Sequence, residues 1–104
     1  MTRLELQTLP LFQSKGIIED AVTNNTLAYI WQCLTLCYSG DYGKVSPEAA
    51  AANDRALESG EGNIIARYPE AYDFREDLLI EFIFSAANPG DEHNHGIIMY
   101  CSER

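Results

Sequence analysis

The sequence predicts an α+β domain in which two central helices pack on a small antiparallel β-sheet, a three-strand C-terminal meander that an N-terminal strand can join. Three observations predict it. Between Thr26 and Tyr38 the apolar residues recur at helical spacing. Ser46-Pro47-Glu48 opens a second helix. After Gly62, three runs of strand length follow one another, separated by polar, turn-rich links. At 104 residues the chain reads as one domain, 1–104. A chain of this size buries roughly 60–70% of its unfolded surface and needs no covalent staple.

Taken in order, Arg3 to Thr8 alternates, with Leu4 and Leu6 on one side and Glu5 and Gln7 on the other, which predicts a short half-buried strand ended by Pro10. Leu11 to Thr23 is ambiguous: Gly16-Ile17-Ile18 suits an extended piece, Glu19-Asp20 a helical turn. Asn24 and Asn25 are natural caps for the helix over 26–38. Its positions Leu27, Ile30, Trp31, Leu34, Cys37 and Tyr38 form a stripe that Ala28, Cys33 and Leu36 widen almost around the cylinder. Such a helix is either central to a core or half of an interface. Ser39-Gly40 stops it. In the second helix Ser46 caps, Pro47 takes the first helical position and Glu48 meets the positive end of the dipole. It runs to about Glu58, with Ala49, Ala52, Asn53 and Ala56 as its inward face. The strands are Asn63–Tyr68, Leu78–Ser85 and Gly96–Cys101, joined by the links Pro69–Asp77 and Ala86–His95.

Sixteen acids against seven bases give a formal charge of −9. That excess argues against contact with nucleic-acid phosphates or an anionic membrane, and suits a basic protein surface or the imitation of a nucleic acid. Glu5 and Gln7 interrupt any apolar leader, and no apolar run approaches the length of a membrane span. Three cysteines, Cys33, Cys37 and Cys101, are an odd number, which fits a reducing cytoplasm. The acidity is uneven. Glu58, Glu61, Glu70, Asp73, Glu76, Asp77, Glu81, Asp91 and Glu92 face only Arg67 and Arg75, a net −7, while the other 69 residues carry −2. These nine acids are the candidate partner-binding face. Solvated loop charge is the plain alternative.

Asp91-Glu92-His93-Asn94-His95 is the candidate metal segment, because two imidazoles on one strand face make a workable bite. It lacks a Cys-x-x-Cys, and Cys33 and Cys37 sit on the apolar side of their helix, where free cysteine packs as a small hydrophobe. No metal or other cofactor is therefore expected, and a small metal- or ligand-binding domain using His93 and His95 is the alternative reading. Catalysis has little support: there is no nucleophile elbow, phosphate loop or dinucleotide fingerprint, and nothing in the sequence brings Cys101 to His95. Asn53 falls on a packing face, so its amide must find partners; the Gly40–Gly43 loop is the nearest, which predicts a structural clamp.

The stretch from Tyr38 to Gly60 (YSGDYGKVSPEAAAANDRALESG) resembles a family of small plasmid- and phage-borne proteins that carry a motif of the form SGDWG…D…ND.AL..G and then a strand resembling RILSAY, here Asn63-Ile64-Ile65-Ala66-Arg67-Tyr68. The likeness covers residues 27–68, and Gly40, Asp41, Gly43, Asn53, Ala56, Leu57 and Gly60 hold its spacing. Gly40, Asp41, Gly43 and Asn53 are its structural residues. The family's usual ending, a pair of strands with Thr-Glu and Asp-Arg signatures, is absent from Leu79–Phe84 and Ile97–Tyr100. The resemblance implies a mobile-element context without a mechanism. Together with the acidic segment it suggests a non-enzymatic inhibitor of a host defence system, of anti-CRISPR or anti-restriction type, working by protein binding in the host cytoplasm. A structural or antitoxin-like homodimer through the helix 26–38 is a further alternative.

Overall fold

The computed structural model describes residues 1–84 and 93–104. Its elements are helices α1 (Arg3–Leu6), α2 (Lys15–Asp20), α3 (Asn24–Ser39) and α4 (Pro47–Ser59), strands β1 (Leu11–Gln13), β2 (Gly62–Tyr68), β3 (Leu78–Phe84) and β4 (His95–Tyr100), and a 3-10 turn over Cys101–Glu103. The strands form one mixed sheet in the order β1-β4-β3-β2. The α+β class and the antiparallel meander β2-β3-β4 are as the sequence predicts.

The N-terminal strand is not where the alternation puts it. Arg3–Leu6 is helical, because Thr2 and Glu5 form a capping box: the Thr2 hydroxyl accepts from Glu5 N and the Glu5 carboxylate accepts from Thr2 N. Leu4 and Leu6 then fall on opposite sides of a helix, and Leu6 is buried while Leu4 is 73% exposed. The strand is instead Leu11–Gln13, and it runs parallel to β4, so the sheet is mixed where an antiparallel one was expected. Pro10 precedes this strand rather than ending one, a position where its missing N–H costs nothing; its carbonyl accepts from Gly96 N at 2.8 Å. The ambiguous stretch Leu11–Thr23 resolves as β1 followed by helix α2, which Ser14 caps, so Gly16-Ile17-Ile18 is helical and not extended. At α3 the cap is Thr23, whose hydroxyl accepts from Thr26 N, and not Asn24 or Asn25, which lie inside the first turn. Ser85, the expected last residue of β3, lies outside the described residues.

Helices and sheet share one core. The covered face of the sheet carries Ile64, Ala66 and Tyr68 of β2, Leu78, Ile80, Phe82 and Phe84 of β3, and Ile98 and Tyr100 of β4. α3 packs Ile30, Cys33, Leu34 and Cys37 onto it, with Leu6 and Ile17 from the two short helices. Each large side chain fully buried here contributes about 1.5–3 kcal/mol. The opposite face is apolar along β3 as well, where Leu79 is buried beside Glu81. β3 is thus covered on both sides, as suits a central strand.

The outer edge of β2 is closed by two devices. Gly40 ends α3 in the left-handed region (φ 94°), and Asp41 Oδ1 accepts from Gly43 N at 3.1 Å, folding the chain back on itself. The segment Tyr42–Lys44 then lies against Arg67: Arg67 N donates to Tyr42 O at 3.0 Å and Lys44 N donates to Arg67 O at 2.7 Å. A Cβ on Gly43 would stand 2.1 Å from Arg67 O, so only glycine allows this approach. One step along the strand, the buried Asn53 of α4 holds Ile65 through its side-chain amide. The partner expected for Asn53, the Gly40–Gly43 loop, is therefore replaced by β2, and that loop works on the same strand two residues away. Of the inward face expected for α4, Asn53 and Ala56 are buried, Ala49 is half-buried and Ala52 is exposed.

Candidate partner-binding loop

β2 and β3 are joined by residues 69–77, and the sequence of this link explains why it is a braced loop. Asp77 stands at its base with its side chain 13% exposed. One carboxylate oxygen accepts from Lys44 Nζ and from Arg67 Nε, each at 2.9 Å, and the other accepts from Glu70 N at 3.0 Å. Lys44 first, with the Glu70 N–H and Arg67, holds this carboxyl down at about 2, against the opposing cost of burial. Phe74 plugs the loop into the core, its ring 6.2 Å from those of Tyr29 and Tyr100. Tyr29 donates its hydroxyl to the Pro69 carbonyl, and burial pushes that phenol up to about 12, so it stays a donor. Arg75 lies over the Tyr100 ring, 4.9 Å from its centre, and pairs with Asp20 at 3.0 Å. Glu76 accepts from the backbone N and the hydroxyl of Ser102.

What this bracing presents is the tip. Tyr72 is the one non-glycine residue with positive φ among those described (57°), and it is 63% exposed. A tyrosine in that region costs about 1 kcal/mol or more, which the anchors around it sustain. Its ring meets the edge of Tyr29 at 5.8 Å. Glu70 and Asp73 flank it, both exposed and without an ion pair among the described residues. An exposed phenol between two carboxylates can take a guanidinium or ammonium group, with the ring supplying apolar contact area.

The seven of the nine predicted acids that lie among the described residues do not form one row. Glu70, Asp73, Glu76 and Asp77 share the loop end of the sheet. Glu58 and Glu61 sit at the other end, the last turn of α4 and the start of β2, a strand length of about 20 Å away. Glu81 is in the middle of β3 on the face away from α3, buried, bonded by Asn63 and held bidentately by Arg104 at 3.1 and 3.2 Å. Asp91 and Glu92 lie outside the described residues. Of the seven that are described, Glu76, Asp77 and Glu81 are engaged internally. Tyr72 was missed by reading charge alone; its signal in the sequence is a pair of aromatics, Tyr72 and Phe74, within a polar, turn-rich link, of which only Phe74 is buried.

The metal reading gains no geometry. β4 begins at His95, so His93 precedes the strand instead of sharing a face with it. His95 Nδ1 donates to the His93 carbonyl at 2.7 Å, and its ring meets Phe12 edge-on at 5.6 Å. His95 is in register with Ile83, on the face away from α3, so the sheet separates it from the buried Cys33 and Cys37. Burial pushes those two thiols up, to about 11 and about 12. Among the described residues no three metal-ligating side chains cluster. Cys101 and His95 lie at opposite ends of β4, about 20 Å apart. Among the described residues, no helix is long and apolar enough to cross a membrane.

Comparisons with protein-family models, with curated proteins and with solved structures find no match.

Proposed function

We propose that this chain is a small protein-binding inhibitor that docks the loop tip Glu70-Tyr72-Asp73 on a basic protein surface and acts without turnover. The observation that carries the reading is the braced loop: a strained, exposed tyrosine between two exposed carboxylates that have no ion pair among the described residues, on a base fixed by Asp77, Phe74 and Arg75. Rigid presentation lowers the ordering cost of binding, and a tyrosine with charged neighbours is the composition of an interface anchor. The target class, a nucleic-acid-handling defence complex of the host cell of anti-CRISPR or anti-restriction kind, rests on the likeness of residues 27–68 to mobile-element proteins. Local docking and steric block fit the acids better than imitation of a duplex. A duplex carries one charge per roughly 1.7 Å of axis, whereas six of the described acids fall at two ends of a sheet and Glu81 is buried in its middle.

The test is inhibition of, and co-purification with, CRISPR effector and restriction complexes by the wild-type chain and by Glu70→Lys/Asp73→Lys. Loss of capture in the double variant, with the fold intact by circular dichroism, supports the loop. Undiminished inhibition by that variant removes the acidic loop from the mechanism. Failure of the wild-type chain to inhibit any such complex removes the target class.

A further inference from the structure

The two devices that close the outer edge of β2 stop short of its first residues. Ile65 and Arg67 turn their backbone groups outward, the first to the Asn53 amide and the second to Tyr42 and Lys44. In an antiparallel ladder such positions alternate with those bonded to the neighbouring strand. The next outward-facing residue toward the start of β2 is therefore Asn63, in register with Ile83. The far side of the sheet gives the same alternation. Gly96 N and Ile98 O bond to the chain at β1, so Ile97 bonds to its register partner Glu81, and Glu81 does not bond to Ile65. The N–H and C=O of Asn63 have no partner among the described residues, and the residue is exposed. Its side chain donates to Glu81, so it cannot fold back to close its own backbone. Asn63 lines a groove of about 570 Å³ between the last turns of α4 and the start of β2, which the small residues Ala52, Ala56, Ser59 and Gly62 keep open. Arg55 lines it too. Of the seven bases in the chain, it is the one without an ion pair among the described residues.

We infer that this groove is a peptide-binding site, in which an extended segment of a partner protein adds to β2 at Asn63 and brings one acidic side chain to Arg55. The backbone chemistry selects the occupant. A donor and an acceptor on one residue of a strand are matched by the N–H and C=O of one residue in an extended chain. A helix has already used those groups within itself, and a free anion would satisfy Arg55 while leaving the Asn63 carbonyl bare. Asn53 and the Tyr42–Lys44 segment occupy the rest of the edge, so main-chain pairing is confined to this one residue, and the guanidinium supplies the second point of contact. Side chains alternate across an added strand. The residue opposite Asn63 faces the same way as Asn63, and its neighbours turn toward the helices, where α4 carries Arg55. A carboxylate there accepts charge-assisted hydrogen bonds from the guanidinium. A chain of −9 turns acids away elsewhere on its surface, so the one base left unpaired among the described residues directs where an acidic side chain settles. Glu61 also lines the groove, which limits the segment to a single acid at this point. The site lies at the other end of β2 from the loop 69–77, and neither reading depends on the other.

The test is a titration of the nitrogen-15-labelled chain, followed by NMR, with a pentapeptide of threonine, valine, glutamate, valine and threonine blocked at both ends. The Asn63 amide proton should move downfield and saturate, while the Ile65 amide, already bonded to Asn53, should stay nearly fixed. Two altered peptides separate the two contacts. Glutamine in place of glutamate removes the charge, and N-methylation of both valines removes the N–H that the Asn63 carbonyl would accept. Each should weaken binding about tenfold or more. Arg55→Gln in the protein should weaken the glutamate peptide by the same factor and leave the glutamine peptide unaffected; Arg55 is exposed and unpaired, so the spectrum of the free variant should otherwise match the wild type. An Asn63 amide that does not respond up to millimolar peptide overturns the inference. Equal binding of the N-methylated peptide overturns it too, because the site would then take a carboxylate alone. So does equal binding of the glutamine peptide, because Arg55 would then select nothing.

Discussion

The side-chain amide of Asn53 engages both backbone groups of Ile65: Nδ2 donates to the carbonyl at 2.9 Å, and the Ile65 N–H donates to Oδ1 at 3.0 Å. An amide used this way stands in for a neighbouring strand. With Tyr42 and Lys44 doing the same at Arg67 through their backbone, β2 has two successive outward-facing residues satisfied without a fifth strand. An open edge is the usual site of unwanted strand addition. The motif residues Gly40, Asp41, Gly43 and Asn53 thereby share one physical purpose, closing that edge.

Asn53→Ala should therefore cost about 2–3 kcal/mol, the loss of two hydrogen bonds with a buried backbone pair left partly unsatisfied. Asn53→Asp should also destabilise, because a carboxylate cannot donate to the Ile65 carbonyl. Urea denaturation followed by circular dichroism gives the loss as a lower midpoint. Both variants should also aggregate faster than the wild type on mild heating, and a midpoint equal to the wild type would remove the clamp from the account.

Much of this was legible in the sequence. The spacing of 26–38, the Ser-Pro-Glu start and the three late strands correspond to α3, α4 and the meander, because each rests on long runs whose local preference and burial agree. The N-terminus was not legible. The four residues Arg3–Leu6 fit a strand by alternation and a helix by their Thr2–Glu5 capping box; in so short a segment one reciprocal pair of hydrogen bonds decides. β1 is three exposed residues, so it has no hydrophobic pattern to read. The acidic segment was legible as charge but not as geometry, since the extended strand β2 runs between Glu61 and Glu70 and sets them at its opposite ends. Nor could composition show that Asp77, Glu76 and Glu81 are occupied by partners that arrive from residues 44, 102 and 104.

Glu81 and Arg104 should respond unequally to mutation. Glu81 has a side chain only 6% exposed, whereas that of Arg104 is 47% exposed. Removing the arginine leaves a buried carboxylate with Asn63 alone, so Arg104→Ala should cost about 2–4 kcal/mol. Removing the carboxylate frees an arginine that water already reaches, and Glu81→Leu adds an apolar side chain to a central strand. That change should lie within about 1 kcal/mol of wild type, and the double variant should resemble Glu81→Leu. Thermal denaturation of the three variants checks the order, and equal losses in the two single variants would contradict it.

Asp77 should set part of the acid sensitivity. Its carboxyl is depressed from 3.8 to about 2 in the fold. A depressed acid stabilises the folded state fully above its unfolded value and loses that contribution as pH falls through the folded one. The window is therefore about pH 4 down to about pH 2. The contribution should be about 1–2 kcal/mol, since Lys44 and Arg67 are half-exposed and screened by water. Asp77→Asn should lower stability at neutral pH by that amount and flatten its pH dependence in this window, as measured by urea midpoints across the acid range. An unchanged slope would place the acid sensitivity elsewhere.

Tyr72 separates fold from function. Its backbone stands in the left-handed region with φ 57°, and among the described residues its one ring contact is edge-on with Tyr29. Glycine relaxes that conformation while loosening the unfolded chain and removing the edge contact. These effects offset, so Tyr72→Gly should leave stability within about 1 kcal/mol of wild type. Tyr72→Ala retains the strain and loses the contact, and should be the less stable of the two. If the loop tip is the docking surface, both variants should weaken partner capture at least tenfold, as truncation of an interface anchor does, and the more stable glycine variant should bind no better than alanine. Binding that follows stability across the pair, with glycine near wild type, would mean that the tyrosine only shapes the loop and that contact lies with Glu70 and Asp73.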